Sequence, residues 1–370
     1  MTPGSFDCAR LPTLVFGAGR IGEAARLARP WGTRALLVTG RRSFEAAGDL
    51  LTAMSDAGMT WSHVVISGEP SPADIDDAAA NHADVDVVLA VGGGAVVDAG
   101  KAISAMIPVQ QPVTRFLEGV GDKRPPGVKV PFVACPTTAG TGAEATKNAV
   151  ITEVGPQGFK KSLRHDAYVP NAVVIDPALA CSCPAEVTAA CGMDALTQLI
   201  EAFVSPSASP LTDGMARSGL VSAARSIRRV VEQPESVDAR ADMAWAAYAS
   251  GVALAQAGLG IVHGLASPLG GFYPIPHGVV CGTLLPAATR VNVRELLRRE
   301  PGGVALEKHA EVAQLFGIRE SSVDRSCEAL VHQLESLKAD LGIPDLSAWG
   351  IGVEDRILDG AGLKLSLIHI

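Results

Sequence analysis

Between Asp242 and Arg290 the chain contains no Asp, Glu, Lys or Arg, although it contains His263 and His277. A charge-free stretch of this length is expected to be buried, and a buried imidazole must have a partner or lose stability. Upstream, Asp194 is a lone carboxylate in a similarly apolar segment. If these three side chains converge, they form a set that can bind a divalent metal.

Other absences narrow the class of protein. None of the seven cysteines forms a CxxC pair, and their odd number argues against a disulfide framework. The net charge is −8, and no basic cluster is dense enough to indicate a nucleic-acid surface. The N-terminus lacks the charged-then-apolar layout of a signal peptide. We therefore expect a cytoplasmic protein that binds no nucleic acid.

The charge-free stretch resembles a membrane span in composition but not in continuity. Gln256, His263 and several prolines and glycines divide it into pieces shorter than about 20 residues, the length that a spanning helix needs. We interpret the stretch as protein core and expect no membrane insertion.

The first half of the chain alternates short β-branched runs with helical patterns, which is typical of a parallel sheet covered on both faces. The predicted strands are 13–16, 35–39, 61–66, 85–91 and 130–135. Later runs repeat apolar residues at helical spacing, namely 184–205, 211–231, 238–257, 307–316 and 321–341. At 370 residues, two domains are expected: an α/β domain over residues 1–176 and an all-helical domain over residues 177–370.

Two glycine-rich turns compete as the phosphate-binding site. Gly17 to Gly22 match G-x-G-x-x-G, but the strand that should end in an acidic residue ends at Gly40 followed by Arg41. We therefore favour a simple strand–helix turn at this position.

The second turn follows a buried strand and contains Gly92, Gly93 and Gly94, with Asp98 and Lys101 on the helix after it. Adjacent glycines let backbone amides approach an anion, and the helix directs its positive end at the same spot. This turn is the predicted pyrophosphate site.

A threonine-rich loop follows the next strand and contains Thr137, Thr138 and Thr141. Its hydroxyl and amide groups are suited to a phosphate or a ribose. The alternative is an ordinary cap of the helix that comes next.

The candidate metal residues occur at helical spacing. Asp194 and Gln198 are four residues apart and share a helix face, as do His263 and Ser267. Considered alone, His263 or His277 is more often a hydrogen-bonded core histidine than a ligand. Together with Asp194 they would leave open positions on a metal that acts as a Lewis acid toward a substrate oxygen.

At this point the sequence resembles the iron-containing (group III) alcohol dehydrogenase family over nearly its whole length. The matching blocks are Gly92 to Asp98, Pro136 to Glu144, Asp176-Pro177, Gly192 to Thr197 with Glu201-Ala202, and His263-Gly264 with Pro276-His277-Gly278. The resemblance implies a Rossmann-like domain that binds NAD(P) and a helical domain that holds the metal in the cleft, the dehydroquinate synthase-like architecture.

The resemblance also exposes departures from the family. The family's metal set is one aspartate and three histidines, of which Asp194, His263 and His277 match three, while Gln198 stands at the remaining histidine position. Ser267 stands where the family has a second, non-ligating histidine that is proposed to relay protons. The related glycerol dehydrogenases use one aspartate and two histidines for zinc, so Gln198 is expected to act as a weak amide ligand or to bind substrate. Maleylacetate reductase, another relative, works without a metal.

The turn after the second strand bears on the choice of cofactor. Gly40 leaves room for a 2′-phosphate, and Arg41, Arg42 and Ser43 can neutralise it and hydrogen-bond to it. We therefore favour NADP(H) over NAD(H), the alternative being that the arginines are ordinary solvated charges.

The sequence predicts an NAD(P)-dependent alcohol dehydrogenase or aldehyde reductase, assisted by iron or zinc, that acts on a small alcohol or aldehyde. The alternatives are a metal-independent reductase, a catalytically impaired nucleotide-binding homologue, and a dehydroquinate synthase-like lyase, against which the charge-free stretch argues. A homodimer is compatible with the sequence. The segment 365–370 does not resemble the family and is expected to be an abrupt end of the chain.

Overall fold

The computed structural model describes residues 5–154 and 158–351. These residues form two compact units. The first, here called the sheet unit, comprises residues 9–138 and 142–182. The helical unit comprises the remaining described residues, which are mainly those from Cys183 onward. The segment 365–370 lies outside the described residues.

The sheet unit contains, within its described residues, a six-stranded sheet with strand order β1-β8-β5-β4-β2-β3, and every pairing is parallel. Its strands are β1 (Thr13–Phe16), β2 (Arg34–Gly40), β3 (Thr60–Ile66), β4 (Val87–Gly92), β5 (Phe132–Pro136) and β8 (Ala172–Ile175). All six residues of β4 are buried, as expected for a central strand covered on both faces. The expected parallel α/β fold is confirmed.

Four helices connect the strands of this unit in its described part: α1 (Glu23–Ala28), α2 (Gly48–Asp56), α3 (Pro72–Asn81) and α4 (Gly94–Met106). The start of α3 is fixed by its sequence, because Ser71 and Asp74 form a capping box and Pro72 occupies the first turn. An antiparallel hairpin, β6 (Asn148–Glu153) with β7 (Phe159–Arg164), was not predicted from the sequence.

The helical unit confirms the expected all-helical second half. Its helices are α5 (Ala185–Val204), α6 (Pro210–Ser226), α7 (Arg229–Glu232), α8 (Val237–Ala257), α9 (Ile261–Phe272), α10 (His277–Arg299), α11 (Val304–Leu315) and α12 (Val323–Asp340). They surround one apolar core to which α5 contributes Met193, Leu196, Leu199 and Phe203, all fully buried. The charge-free stretch therefore forms most of α8, all of α9 and the first part of α10.

Within the described residues, α5 is long and apolar enough by itself to cross a membrane, and α8 with α9 passes the same test only as a pair bent by 101°. In the most apolar 18-residue segment of α5, 83% is buried inside the protein. Such burial is typical of the core helix of a globular protein.

Candidate metal centre and nucleotide site

Four side chains of the helical unit converge on one point. Asp194 from α5, His263 from α9, and His277 and Cys281 from α10 each offer a ligand atom, and these atoms lie within 4.8 Å of one another. The Asp194 carboxylate oxygen Oδ1 is 3.3 Å from His263 Nε2 and 3.6 Å from His277 Nε2. The convergence of Asp194, His263 and His277 that the sequence suggested is present in the structure.

Two glycines bring α10 against α5. A Cβ atom on Gly278 would lie 2.3 Å from the Ala190 carbonyl oxygen, and one on Gly282 would lie 2.9 Å from the Met193 Cβ. Because glycine has no side chain, the backbones can approach closely at both positions. His277, beside Gly278 at the start of α10, is thereby brought to the Asp194 side of α5.

A buried carboxylate orients His263. Glu201, two turns after Asp194 on α5, has its Oε2 2.6 Å from His263 Nδ1, and its Oε1 accepts a hydrogen bond from the Val262 amide at 2.7 Å. Gly260 permits this contact, since a Cβ there would lie 2.8 Å from Glu201 Oε1. A histidine whose far nitrogen binds a carboxylate is the usual arrangement of a metal-ligating imidazole. Glu201 was quoted in the sequence only as part of a matching block, without this role.

Gln198 holds Asp194 rather than pointing its oxygen at the cluster. Its amide nitrogen donates to Asp194 Oδ1 at 3.2 Å, and its oxygen accepts a hydrogen bond from the Ser250 hydroxyl at 2.6 Å. A metal needs the amide oxygen, so ligation by Gln198 would require the amide to turn around and leave Ser250. Ser267, one turn after His263 on α9, is exposed.

The electrostatics of the cluster call for positive charge at its centre. Burial alone would raise the pKa of Asp194, but the neighbouring imidazoles of His277 and His263 outweigh it and lower that pKa. Burial would likewise lower the pKa of His263, yet Cys281, Asp194 and Glu201 raise it well above its ordinary value. A divalent ion supplies such charge without a proton.

The donor set fits a divalent metal. A carboxylate oxygen, two imidazole nitrogens and a sulfur are the donors that zinc accepts, and all four belong to one small, largely buried cluster. Cys281 is fully buried and its sulfur lies 3.7 Å from Nε2 of both histidines. Sequence reasoning missed Cys281, because the cysteines were tested only for CxxC pairs and disulfides.

In the sheet unit, the triple-glycine turn has the form of an anion site. Gly93 precedes α4, and in the described part of the chain no side chain caps this helix. A Cβ atom on Gly93 would lie 3.3 Å from the Thr138 side chain, and the Thr137 amide donates to the Gly92 carbonyl at 2.9 Å. The turn and the first part of the threonine loop therefore meet where β4 and β5 end. Thr141 groups with the helical unit.

Beneath this turn lies a buried polar cluster. Burial raises the pKa of Asp98 to about 6 and that of Glu144 to about 7, and it lowers the pKa of Lys101 to about 8. Lys101 donates to the carbonyl oxygens of Ala143 and Asn148, both at 2.7 Å. Asp98 Oδ1 is buried and accepts no hydrogen bond from the described residues. An acceptor in this state fits a hydroxyl donor such as that of a ribose.

After the end of β2, the Ser43 hydroxyl forms hydrogen bonds with the protein backbone. Its hydroxyl accepts a hydrogen bond from the Gly40 amide at 2.8 Å and donates to the Val91 carbonyl at 2.7 Å, which ties the ends of β2 and β4 together. Arg41 is exposed and donates from Nε to the Ser67 hydroxyl at 3.1 Å. Gly40 and Ser43, two of the predicted cofactor residues, are therefore engaged within the protein. Arg41, the third, is charged and exposed.

The backbone amides of the G-x-G-x-x-G turn after β1 donate hydrogen bonds to a side chain of the protein itself. Both oxygens of Asp176 accept backbone amides of the turn, from Gly19 and from Ile21, each at 3.0 Å. Gly19 has a φ of 72°, which favours glycine. An internal carboxylate therefore occupies the place that a pyrophosphate would need, and the interpretation as a strand–helix turn agrees with the structure.

Comparison with known proteins gives matches over both units. The family described as iron-containing alcohol dehydrogenase matches residues 12–177, and the family described as Fe-containing alcohol dehydrogenase, C-terminal, matches residues 188–357.

Among individual relatives, 1,3-propanediol dehydrogenase of Citrobacter freundii is 34% identical over 88% of this chain and 82% of its own length. NAD-dependent methanol dehydrogenase of Bacillus methanolicus is 31% identical over 93% of this chain and 89% of its own. A crystal structure of 1,3-propanediol oxidoreductase superposes with a TM-score of 0.87 at 30% identity, covering 97% of this chain and 93% of that one.

Proposed function

The chain belongs to the iron-containing alcohol dehydrogenase family, and from this membership we propose how its residues perform the chemistry. It is an oxidoreductase that acts on CH–OH groups and transfers a hydride between a nicotinamide cofactor and a small alcohol or carbonyl compound. We propose that residues 1–176 bind NAD(P) and that residues 177–370 hold the metal and the substrate.

The observation that carries the metal-assisted mechanism is the convergence of Asp194, His263 and His277 around one point. We assign these three residues as ligands of iron or zinc, which would act as a Lewis acid toward the substrate oxygen. Glu201 orients His263, and Gln198 in its present orientation holds Asp194. The close approach of these three donor groups supports this mechanism over the metal-independent alternative.

The cofactor assignment rests on the sheet unit. The backbone amides at Gly92, Gly93 and Gly94 would hold the pyrophosphate, and Thr137 and Thr138 would add further donors. The Asp98 carboxylate would accept a hydrogen bond from a ribose hydroxyl. Thr141, which groups with the helical unit, is the remaining proposed donor of the threonine loop. The exposed Ser267, one turn after His263, passes the alcohol proton to water.

A panel assay tests the function. Purified protein is supplied with iron or zinc, and reduction of NAD⁺ and NADP⁺ is followed with short alcohols and diols, then oxidation of the reduced cofactors with the matching aldehydes. We expect turnover that is lost on chelation and returns when the metal is restored. Tight cofactor binding without turnover would instead support a catalytically impaired nucleotide-binding protein, and turnover that is insensitive to chelation would support a metal-independent reductase.

NADP(H) is the proposed preference, although one relative is named as NAD-dependent. The proposal is supported by the absence of an acid at the end of β2 and by the exposed guanidinium of Arg41. Replacing Arg41 by Ala is expected to weaken NADPH binding about 10-fold or more, because a hydrogen bond to a charged group contributes roughly 1.5–3 kcal/mol. NADH binding should stay unchanged, as measured by fluorescence titration of both cofactors.

The matched control for Arg41 is Arg29, an exposed arginine of the same unit that donates to the Ala57 carbonyl. Its replacement by Ala should leave both affinities unchanged. Equal losses for NADPH and NADH in the Arg41 variant would contradict the 2′-phosphate role.

Two further proposals concern the location of the protein in the cell and its oligomeric state. We propose a cytoplasmic location, which is supported by an odd number of cysteines, none of them paired in a disulfide bond in the described residues. A homodimer stays a prediction of the sequence, to be checked by light scattering.

A further inference from the structure

Cys281 occupies a position in the metal cluster that no sequence argument gave it. It lies one helical turn after His277 on α10, so both side chains are on the same face of the helix. It is completely buried, and its sulfur is equidistant, at 3.7 Å, from Nε2 of His263 and of His277. The close packing at Gly282, the next residue, holds this part of α10 against Met193 of α5.

The spacing of the donor atoms matches a tetrahedral site. With metal–ligand bonds of about 2.0–2.3 Å, the edges of a tetrahedron are about 3.3–3.6 Å long. Four of the six distances between donor atoms are close to these values: 3.3 Å and 3.6 Å from Asp194 to the two histidines, and 3.7 Å from Cys281 to each of them, with all pairs within 4.8 Å. Cys281 therefore lies where a fourth ligand of this site can bind.

The other candidate for the fourth position is less suitable. The Gln198 oxygen is already an acceptor for Ser250, and its amide nitrogen faces Asp194. A thiolate is also a stronger ligand than an amide for a borderline-soft ion such as Zn²⁺. The charges of the Asp194 carboxylate and the Cys281 thiolate together balance that of a divalent ion. This balance lowers the free-energy cost of burying the ion.

We propose that Cys281 is the fourth protein ligand of the metal, as a thiolate, so that the site is Asp194, His263, His277 and Cys281 with a divalent ion such as Zn²⁺. The substrate oxygen would then be a fifth ligand, an expansion that catalytic zinc sites allow. This assignment rests on the proposed metal-assisted function and adds a ligand to it. Gln198 is then a positioning residue that acts through Asp194.

Cobalt spectroscopy tests the ligand without measuring activity. The full-length protein is stripped of metal by a chelator and titrated with Co²⁺. A Co²⁺ ion bound to a thiolate gives an intense sulfur-to-metal charge-transfer band in the near ultraviolet, whereas nitrogen and oxygen ligands leave only weak visible bands. We expect the intense band in the native protein, its loss in Cys281→Ala, and its retention in Cys327→Ala, which removes a buried cysteine of α12 outside the cluster.

A second readout is the affinity for Zn²⁺, measured by competition with a chelating dye. Cys281→Ala should bind Zn²⁺ at least about 100-fold more weakly, since even residues that only orient ligands alter metal affinity by 10–100-fold. Cys327→Ala should bind it as the native protein does.

Each outcome separates the two proposals. Cobalt that binds to the native protein with visible bands but no sulfur band would overturn ligation by Cys281 and leave the Asp194, His263 and His277 site intact. The same conclusion follows if Cys281→Ala keeps the band. A native protein that binds neither Co²⁺ nor Zn²⁺ would overturn both this proposal and the metal-assisted function. The native spectrum needs no variant, so the test stands even if Cys281→Ala does not fold.

Discussion

Replacing His277 by Ala is expected to lower kcat/KM for alcohol oxidation by about 1000-fold or more. A Lewis acid contributes several kcal/mol to stabilising charge on the substrate oxygen, and each 1.4 kcal/mol corresponds to a factor of ten. The variant removes one of the two imidazoles that lie within 3.6 Å of Asp194. Steady-state kinetics with a saturating cofactor and elemental analysis of the same samples measure the effect. Bound metal should fall together with activity.

His309 gives a matched control in the same unit. It is a buried histidine on α11 whose Nδ1 lies 2.7 Å from the Ala305 carbonyl oxygen, and burial lowers its pKa. His309→Ala should lose stability but keep its metal and its kcat/KM per folded molecule. If His277→Ala loses less than about tenfold in kcat/KM while His309→Ala behaves the same way, His277 has only a structural role.

The convergence of Asp194, His263 and His277 was predictable because each stands out in an apolar segment of the sequence. A long stretch without charges that keeps two histidines is unusual in itself, and a divalent metal explains both at once. The sequence alone did not place Cys281 in this cluster. Cys281 is four residues after His277, but this spacing places both on one face only if a helix begins at His277. The prolines at 274 and 276 suggested interruptions rather than the start of a 23-residue helix.

The helices α9 and α10 show how packing overrides local signals. Pro268 and Pro286 both stand inside helices, where proline is normally unfavourable. Leu269, Val280 and Leu285 on the same helices are fully or almost fully buried in the core of the unit. Burial of this apolar surface offsets the loss of a backbone hydrogen bond.

The two glycine-rich turns differ through a contact that no local pattern reveals. The amides of Gly19 and Ile21 bind Asp176, which is more than 150 residues away in the chain. The missing acid after β2 was the only local clue against this fingerprint. The β6–β7 hairpin was missed for a related reason, because the sequence of β7, Phe-Lys-Lys-Ser-Leu-Arg, has little apolar alternation.

The buried Lys101 carries the second large expected effect. It is completely inaccessible to solvent, and its ammonium group donates to two backbone carbonyls and to the Thr146 hydroxyl while lying 3.9 Å from Asp98 Oδ1. Glu144 is a further buried carboxyl that this charge stabilises. Removing one member of a buried ionic cluster leaves the other charges uncompensated, which typically costs about 3–5 kcal/mol.

Lys101→Met is therefore expected to lower the free energy of unfolding by about 3–5 kcal/mol at pH 8, measured by urea titration. The loss should be smaller at pH 5. The pKa of Asp98 in the folded protein, about 6, lies above its ordinary value of 3.8, so the folded state binds this proton more tightly. Glu144, with a pKa of about 7, behaves in the same way, so lowering the pH neutralises both carboxyls and favours the folded variant.

The control variant is Lys147→Met, which breaks the solvent-accessible ion pair with Asp166 and should cost less than about 1 kcal/mol at either pH. An equal loss for Lys101→Met at both pH values would show that its hydrogen bonds to Ala143 and Asn148, and not its charge, stabilise the fold.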